Sequence, residues 1–204
     1  MNTKTTPLQL LSLVFNSPKD FSQAIENADQ NKTHPFATLM GLFAAFSITC
    51  GNFYPLHKSG GNFIPVLLGF LTSAFFLKFF STLLALFLHY RINEQIPDAD
   101  AKLNTFVLYV KYCLAIFLLQ TPLSIILFEY TNDSLAKTII SSLITAGLFL
   151  GCIAKGIPHI YPKAQLRNYL LFSISTFFWL SCLPLLFFLH LLTFLIASLQ
   201  GVQI

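Results

Sequence analysis

Lys78 is the residue whose position most needs a chemical reason. It sits between Leu77 and Phe79, in the middle of an apolar run at 63–90. A lysine at the centre of a membrane helix costs about 2.5–3.5 kcal/mol. No acid stands at its depth, so it is expected to face the interior of a helix bundle. There it would use backbone carbonyls, Ser/Thr hydroxyls or lipid phosphate. Lys111 lies about two helical turns into a later run, near enough to the end to snorkel. Lys78 and Lys111 are therefore the candidate contacts for an anion or a lipid headgroup, beside the plainer reading of tolerated structural lysines.

Other chemistry is poorly supplied. All eight acidic residues, Asp20, Glu26, Asp29, Glu94, Asp98, Asp100, Glu129 and Asp133, fall outside the apolar runs. An intramembrane metalloprotease or proton-coupled carrier usually places Asp, Glu or His at mid-membrane. Asp98 and Asp100 form a lone D-x-D, read as a solvated turn rather than a magnesium site. There is no H-E-x-x-H, G-x-S-x-G or glycine-rich phosphate loop. Cys50, Cys113, Cys152 and Cys182 each lie in a different apolar run, without C-x-x-C spacing, and read as small buried hydrophobes. The histidines, His34, His89 and His190 among them, show no ligand spacing. No catalytic residue, cofactor or metal is expected, and the chain is not expected to be an enzyme.

The elements that hold these residues follow from composition. Apolar residues make up 55% of the 204 and charged residues 10%, where soluble domains carry about 25% charged. Mean hydropathy is +0.69. An ordinary soluble globule and a disordered chain are both excluded. The expected fold is an all-α integral membrane protein, a five-helix transmembrane bundle preceded by an N-terminal amphipathic interfacial helix pair. Residues 1–35 form a cytoplasmic arm and 36–204 the membrane domain. Its spans lie at about 36–53, 63–90, 103–128, 135–154 and 169–199, each near or above the roughly 20 residues a crossing needs. Pro122 and Pro184 should kink the third and fifth. The connectors are short, and Lys155 to Asn168, with Pro158 and Pro162, is read as a loop. No internal repeat is visible, which argues against duplicated transporter halves.

The net charge of +4 is small and its 12 basic residues are scattered, so no nucleic-acid partner is expected. Their bias sets topology instead. Lys4, Lys19, Lys32, Arg91, Lys102, Lys155, Lys163 and Arg167 fall on one side, against Lys58 and Lys137 on the other. The positive-inside rule then puts the N-terminus in the cytoplasm and the C-terminus outside. The first 35 residues lack the pattern of a cleavable signal, so the first span is expected to direct insertion.

Two further patterns bear on partners. Gly147 and Gly151 form a G-x-x-x-G, with Ser142 and Ala146 just before it, a small-residue seam for close helix packing. It serves either the bundle or self-association. In the arm, Thr6-Pro7 and Ser17-Pro18 are helix starts, with Asp20 in the second helix's first turn. Leu8, Leu11 and Phe15, then Pro18, Phe21 and Ile25, recur at helical spacing. Two short interfacial helices fit this pattern. They either sense the membrane or a partner, or pack on the ends of the bundle.

The segment Val14-Phe15-Asn16-Ser17-Pro18-Lys19-Asp20-Phe21-Ser22-Gln23-Ala24-Ile25 resembles the opening of bacterial members of the Yip (Ypt-interacting protein) family. The third span, with Ala115 and then Thr121-Pro122, is similar to that family's third span. The family's Asp-Leu-Tyr-Gly-Pro and Gly-Tyr motifs, carried by Rab-binding eukaryotic members, do not occur, so the bacterial branch is the nearer match. The resemblance implies a non-enzymatic membrane organiser or adaptor, working with the bilayer and with other membrane proteins or a second copy, in the bacterial cytoplasmic membrane. The alternative is a small transporter or channel subunit moving an anionic or lipid-like solute.

Overall fold

The structure is a computed structural model that describes residues 5–26, 28, 30–58, 63–93, 102–130 and 134–162. The expected fifth span at 169–199, with Cys182, Pro184 and His190, lies outside the described residues. So do Asp98 and Asp100.

The arm folds as two short helices, α1 (Pro7–Asn16) and α2 (Pro18–Glu26). Thr6 caps α1 reciprocally. Its hydroxyl accepts from the Gln9 N–H at 3.4 Å, and the Gln9 side chain accepts from the Thr6 N–H at 2.8 Å. Two of the otherwise orphaned donors at the helix start are thereby satisfied. The Ser17 N–H closes α1 on the Leu13 carbonyl at 2.9 Å. Its hydroxyl donates to Asp20 at 2.5 Å, in the first turn of α2. Leu10 and Val14 on α1, with Pro18, Phe21 and Ile25 on α2, are buried.

Four long helical stretches follow, and the described chain is all-helical. They comprise α3 (Gln30–Lys58), α4 (Phe63–Asn93), a composite of α5 (Leu103–Cys113) with α6 (Gln120–Tyr130), and α7 (Ser134–Ile160). Within them, Asn31–Gly51, Val66–Tyr90, Leu103–Phe128 and Ala136–Ile160 hold 21 to 26 residues each. Each is long and apolar enough to cross a bilayer, so the chain is read as a multi-pass membrane protein. The expected loop beginning at Lys155 is not there. α7 continues to Ile160 because Ile153, Ile157, Ile160 and Tyr161 carry its buried face onward. Pro158 is accommodated inside the last turns.

The third span is broken rather than simply kinked. Leu114–Leu119 winds as a 3-10 helix between α5 and α6. Pro122 has no N–H to give the Leu118 carbonyl four residues back. Ser47 of α3 supplies the missing donor, its hydroxyl bonding that carbonyl at 2.9 Å. The Thr121 N–H donates to Ser47 Oγ at 3.2 Å, and the Thr121 hydroxyl donates to the Ser47 carbonyl at 2.7 Å. A break in a membrane helix is tolerated where neighbours satisfy the freed backbone, and here one serine does so. Gly51, one turn further along α3, permits the approach. A Cβ there would lie 2.9 Å from Ser124 Oγ and 3.1 Å from the Gln120 carbonyl.

The apolar core lies where the arm meets the long helices. Leu10, Val14 and Phe21 join Phe106, Tyr109, Tyr112, Phe149, Ile153 and Ile157 in one buried cluster. Phe21 sets its ring edge against Tyr109 at 5.2 Å and against Tyr112 at 5.9 Å. Tyr161 closes the same end, with its hydroxyl 2.7 Å from His89 Nδ1 and its ring 5.4 Å from Phe106.

Candidate functional site

α4 turns Leu77, Ser81, Leu84, Ala85 and Leu88 inward. Lys78, one residue on from Leu77, is carried around the helix and is exposed, beside Phe75 and Phe79 on the outer face. This corrects the expected interior placement. The apolar residues of α4 claim the interface with its neighbours, and the lysine takes the remaining side. It stands twelve residues from either end of the 66–90 span, about 18 Å at 1.5 Å per residue. Lys111 is half-buried on α5, which packs on α4. Lys78 and Lys111 therefore stand on two helices that pack together. The acids whose side chains are described, Asp20 and Glu26, belong to the arm.

The small-residue seam divides. Ala146 is buried and Ser142 is half-buried, whereas Gly147 and Gly151 are exposed, with no described residue within 4 Å of an added Cβ. The face of α7 that packs on the described helices carries Lys137, Ser141, Thr145, Phe149 and Ile153, all buried. Gln120 is its centre. Its Nε2 donates to Ser141 Oγ at 2.8 Å and to Ser142 Oγ at 3.3 Å, and its Oε1 lies 2.8 Å from the Thr145 hydroxyl. Ser124 donates to Ser141 Oγ at 3.2 Å. Such cross-helix hydrogen bonds hold membrane helices together where apolar contact gives little preference over lipid. Lys137 lays its ammonium over the Phe128 ring, 3.6 Å from the centroid, a cation–π contact.

The arm residues Pro18, Phe21 and Ile25 do not form an open apolar face. They are buried in the bundle. Lys155 of α7 donates to the Phe15 carbonyl at 3.0 Å, fastening the end of α1.

One constellation has no counterpart in the sequence reading. The Tyr109 hydroxyl donates to the Cys152 carbonyl at 2.9 Å and lies 3.5 Å from the Val14 carbonyl. Beside it the thiols of Cys113 and Cys152 stand 3.4 Å apart, both free. Single-sequence spacing carries no signal for this, because the two cysteines come from different spans. The Gln120 network did leave a signal. Gln120 and Ser124, like Ser141 and Thr145, are polar pairs four apart inside apolar helices.

No protein-family model matches the chain, and no curated protein or solved structure is significantly similar to it. Among the described residues, no group of three or more His, Cys, Asp or Glu side chains could hold a metal.

Proposed function

We propose that the protein is a non-enzymatic, Yip-like membrane organiser or adaptor that holds anionic lipid against the α4–α5 face. The observation that carries this reading is that Lys78 and Lys111 stand on two spans that pack together, with Lys78 exposed on the bundle's outer surface. A lysine at that depth is costly. A phosphate group drawn to it offsets that cost. In this reading the chain has five spans, with the arm lying at the cytoplasmic surface and the C-terminus outside, in a bacterial cytoplasmic membrane.

The test is retention of lipid by the full chain purified from membranes. Wild type should keep phosphatidylglycerol through detergent exchange in preference to phosphatidylcholine. Lys78→Leu with Lys111→Leu should abolish that preference while leaving the protein folded. Equal retention by the variant would refute the reading.

A second reading, a small transporter or channel subunit for an anionic or lipid-like solute, rests on the break in the third span. Discontinuous helices with buried polar groups are how transporters build midplane sites, and Gln120, Ser124, Ser141 and Thr145 lie beside the break. Their hydroxyl and amide groups are bonded to one another, which favours the first reading. Flux of chloride or a fluorescent anionic lipid across proteoliposomes, lost in Gln120→Leu, would reverse that preference.

A further inference from the structure

We propose that Cys113 and Cys152 form a two-thiol oxidation site that takes a lipid-soluble hydroperoxide and closes to a disulfide joining the third and fourth spans. Proximity is the first ground: the sulfurs stand 3.4 Å apart. A disulfide holds its sulfurs about 2.0 Å apart, so closure brings them together by about 1.4 Å. The second ground is that neighbouring contacts hold the pair in place. The Tyr109 hydroxyl, one turn before Cys113, is bonded to the Cys152 carbonyl. The Tyr109 ring occupies the space left by Gly156, one turn after Cys152. α5 and α7 are thus fixed to each other on the Tyr109–Gly156 side of the thiols.

The two sulfurs also differ in a way that assigns their roles. Cys152 is half-buried, and its thiol points to the Val14 carbonyl at 3.9 Å, with the Tyr109 hydroxyl 3.8 Å away. Cys113 is fully buried. Cys152 is the thiol an oxidant can reach, and Cys113 is the thiol that resolves. In the first step the Cys152 sulfur attacks the terminal oxygen of the hydroperoxide. The O–O bond breaks, the alkoxide leaves with the thiol proton as an alcohol, and Cys152 becomes a sulfenic acid. In the second step the Cys113 sulfur attacks the Cys152 sulfur. The S–S bond forms, the S–O bond breaks, and the hydroxyl leaves with the Cys113 proton as water. Two thiols are oxidised and one hydroperoxide is reduced. This is the first rung of cysteine oxidation followed by condensation with a neighbouring thiol.

The experiment uses the full chain in lipid nanodiscs with cumene hydroperoxide as the probe. After treatment the protein is denatured, alkylated with iodoacetamide and mapped by peptide mass. Of the four cysteines, two should escape alkylation, the linked peptide should join Cys113 to Cys152, and dithiothreitol should restore all four. In Cys113→Ser, dimedone should trap a sulfenic acid at Cys152. Cys113→Ala serves as a second variant if the serine disturbs the fold. The proposal is overturned if all four thiols remain alkylatable in wild type, if the bond involves Cys50 or Cys182, or if dimedone marks neither variant.

Discussion

Replacing Gly156 with alanine puts a methyl group into the Tyr109 ring. The added Cβ would overlap Cε1 and Cζ and come within 2.6 Å of the hydroxyl oxygen. The ring has little room to retreat. Tyr109 is fully buried, Phe21 sits against it at 5.2 Å, and its hydroxyl is bonded to the Cys152 carbonyl at 2.9 Å. Overpacking of this kind costs about 1–3 kcal/mol. If the ring swings out, it gives up a hydrogen bond of about 0.5–1.5 kcal/mol. Alanine returns about 0.8–1.0 kcal/mol through better helix propensity. The balance is a loss of about 0.5–3.7 kcal/mol, because the clash and the lost hydrogen bond together outweigh the gain in propensity.

Reversible unfolding in mixed micelles measures that loss. Trypsin accessibility at Lys19 reports whether the arm has loosened, because Tyr109 is what Phe21 rests on. The attribution is checked by pairing Gly156→Ala with Tyr109→Leu, which removes the atoms the methyl would strike. In that background the alanine should cost under about 0.5 kcal/mol, and the difference is the coupling energy of the two sites. Refutation would be a single variant as stable as wild type, or one that costs the same with and without the tyrosine ring.

Two other substitutions probe separate joints of the fold. Phe21→Ala should cost about 3–5 kcal/mol, as for a large buried aromatic, and should release the arm to protease at concentrations that leave wild type intact. Ser47→Ala removes the donor to the Leu118 carbonyl and the acceptor for the Thr121 N–H, and by membrane double-mutant scales should cost about 0.6–1.7 kcal/mol, read in the same micelle assay. Ser47→Thr retains a hydroxyl and should recover part of that loss, whereas equal destabilisation by both would mean the hydroxyl is not what stabilises the break.

Much of the architecture is legible in the order of residues, because the bilayer restricts what a chain can do. Apolar runs of sufficient length become helices when every backbone group must be satisfied internally. The first four expected spans each fall within a described helical stretch, and the helix starts at Thr6-Pro7 and Ser17-Pro18 are read from capping chemistry alone. Pro122 likewise announces a disturbance through its missing donor. What it cannot announce is the form of the repair, since Ser47 lies 71 residues from the carbonyl it satisfies.

Side-chain placement is where the sequence reading falls short, and the reason is rotational. Composition and run length say that a segment is a helix, but nothing in a nearly uniform apolar run says which side faces the neighbours. Lys78 is therefore expected inside when it is outside, and nothing in the sequence marks Ser141 and Thr145 rather than Gly147 and Gly151 as the side of α7 that meets the third span. The arm's apolar face is plain from its spacing. Its burial against Tyr109 and Tyr112 depends on where α5 and α7 stand. The approach of Cys113 to Cys152 likewise exists only once two separate spans are packed. Residue order was enough to make the described segments helical and to read the chain as membrane-crossing, because hydrophobicity and hydrogen-bond satisfaction act locally along each segment. Which faces meet was settled by packing, because a helix's rotation about its own axis is set by its partners.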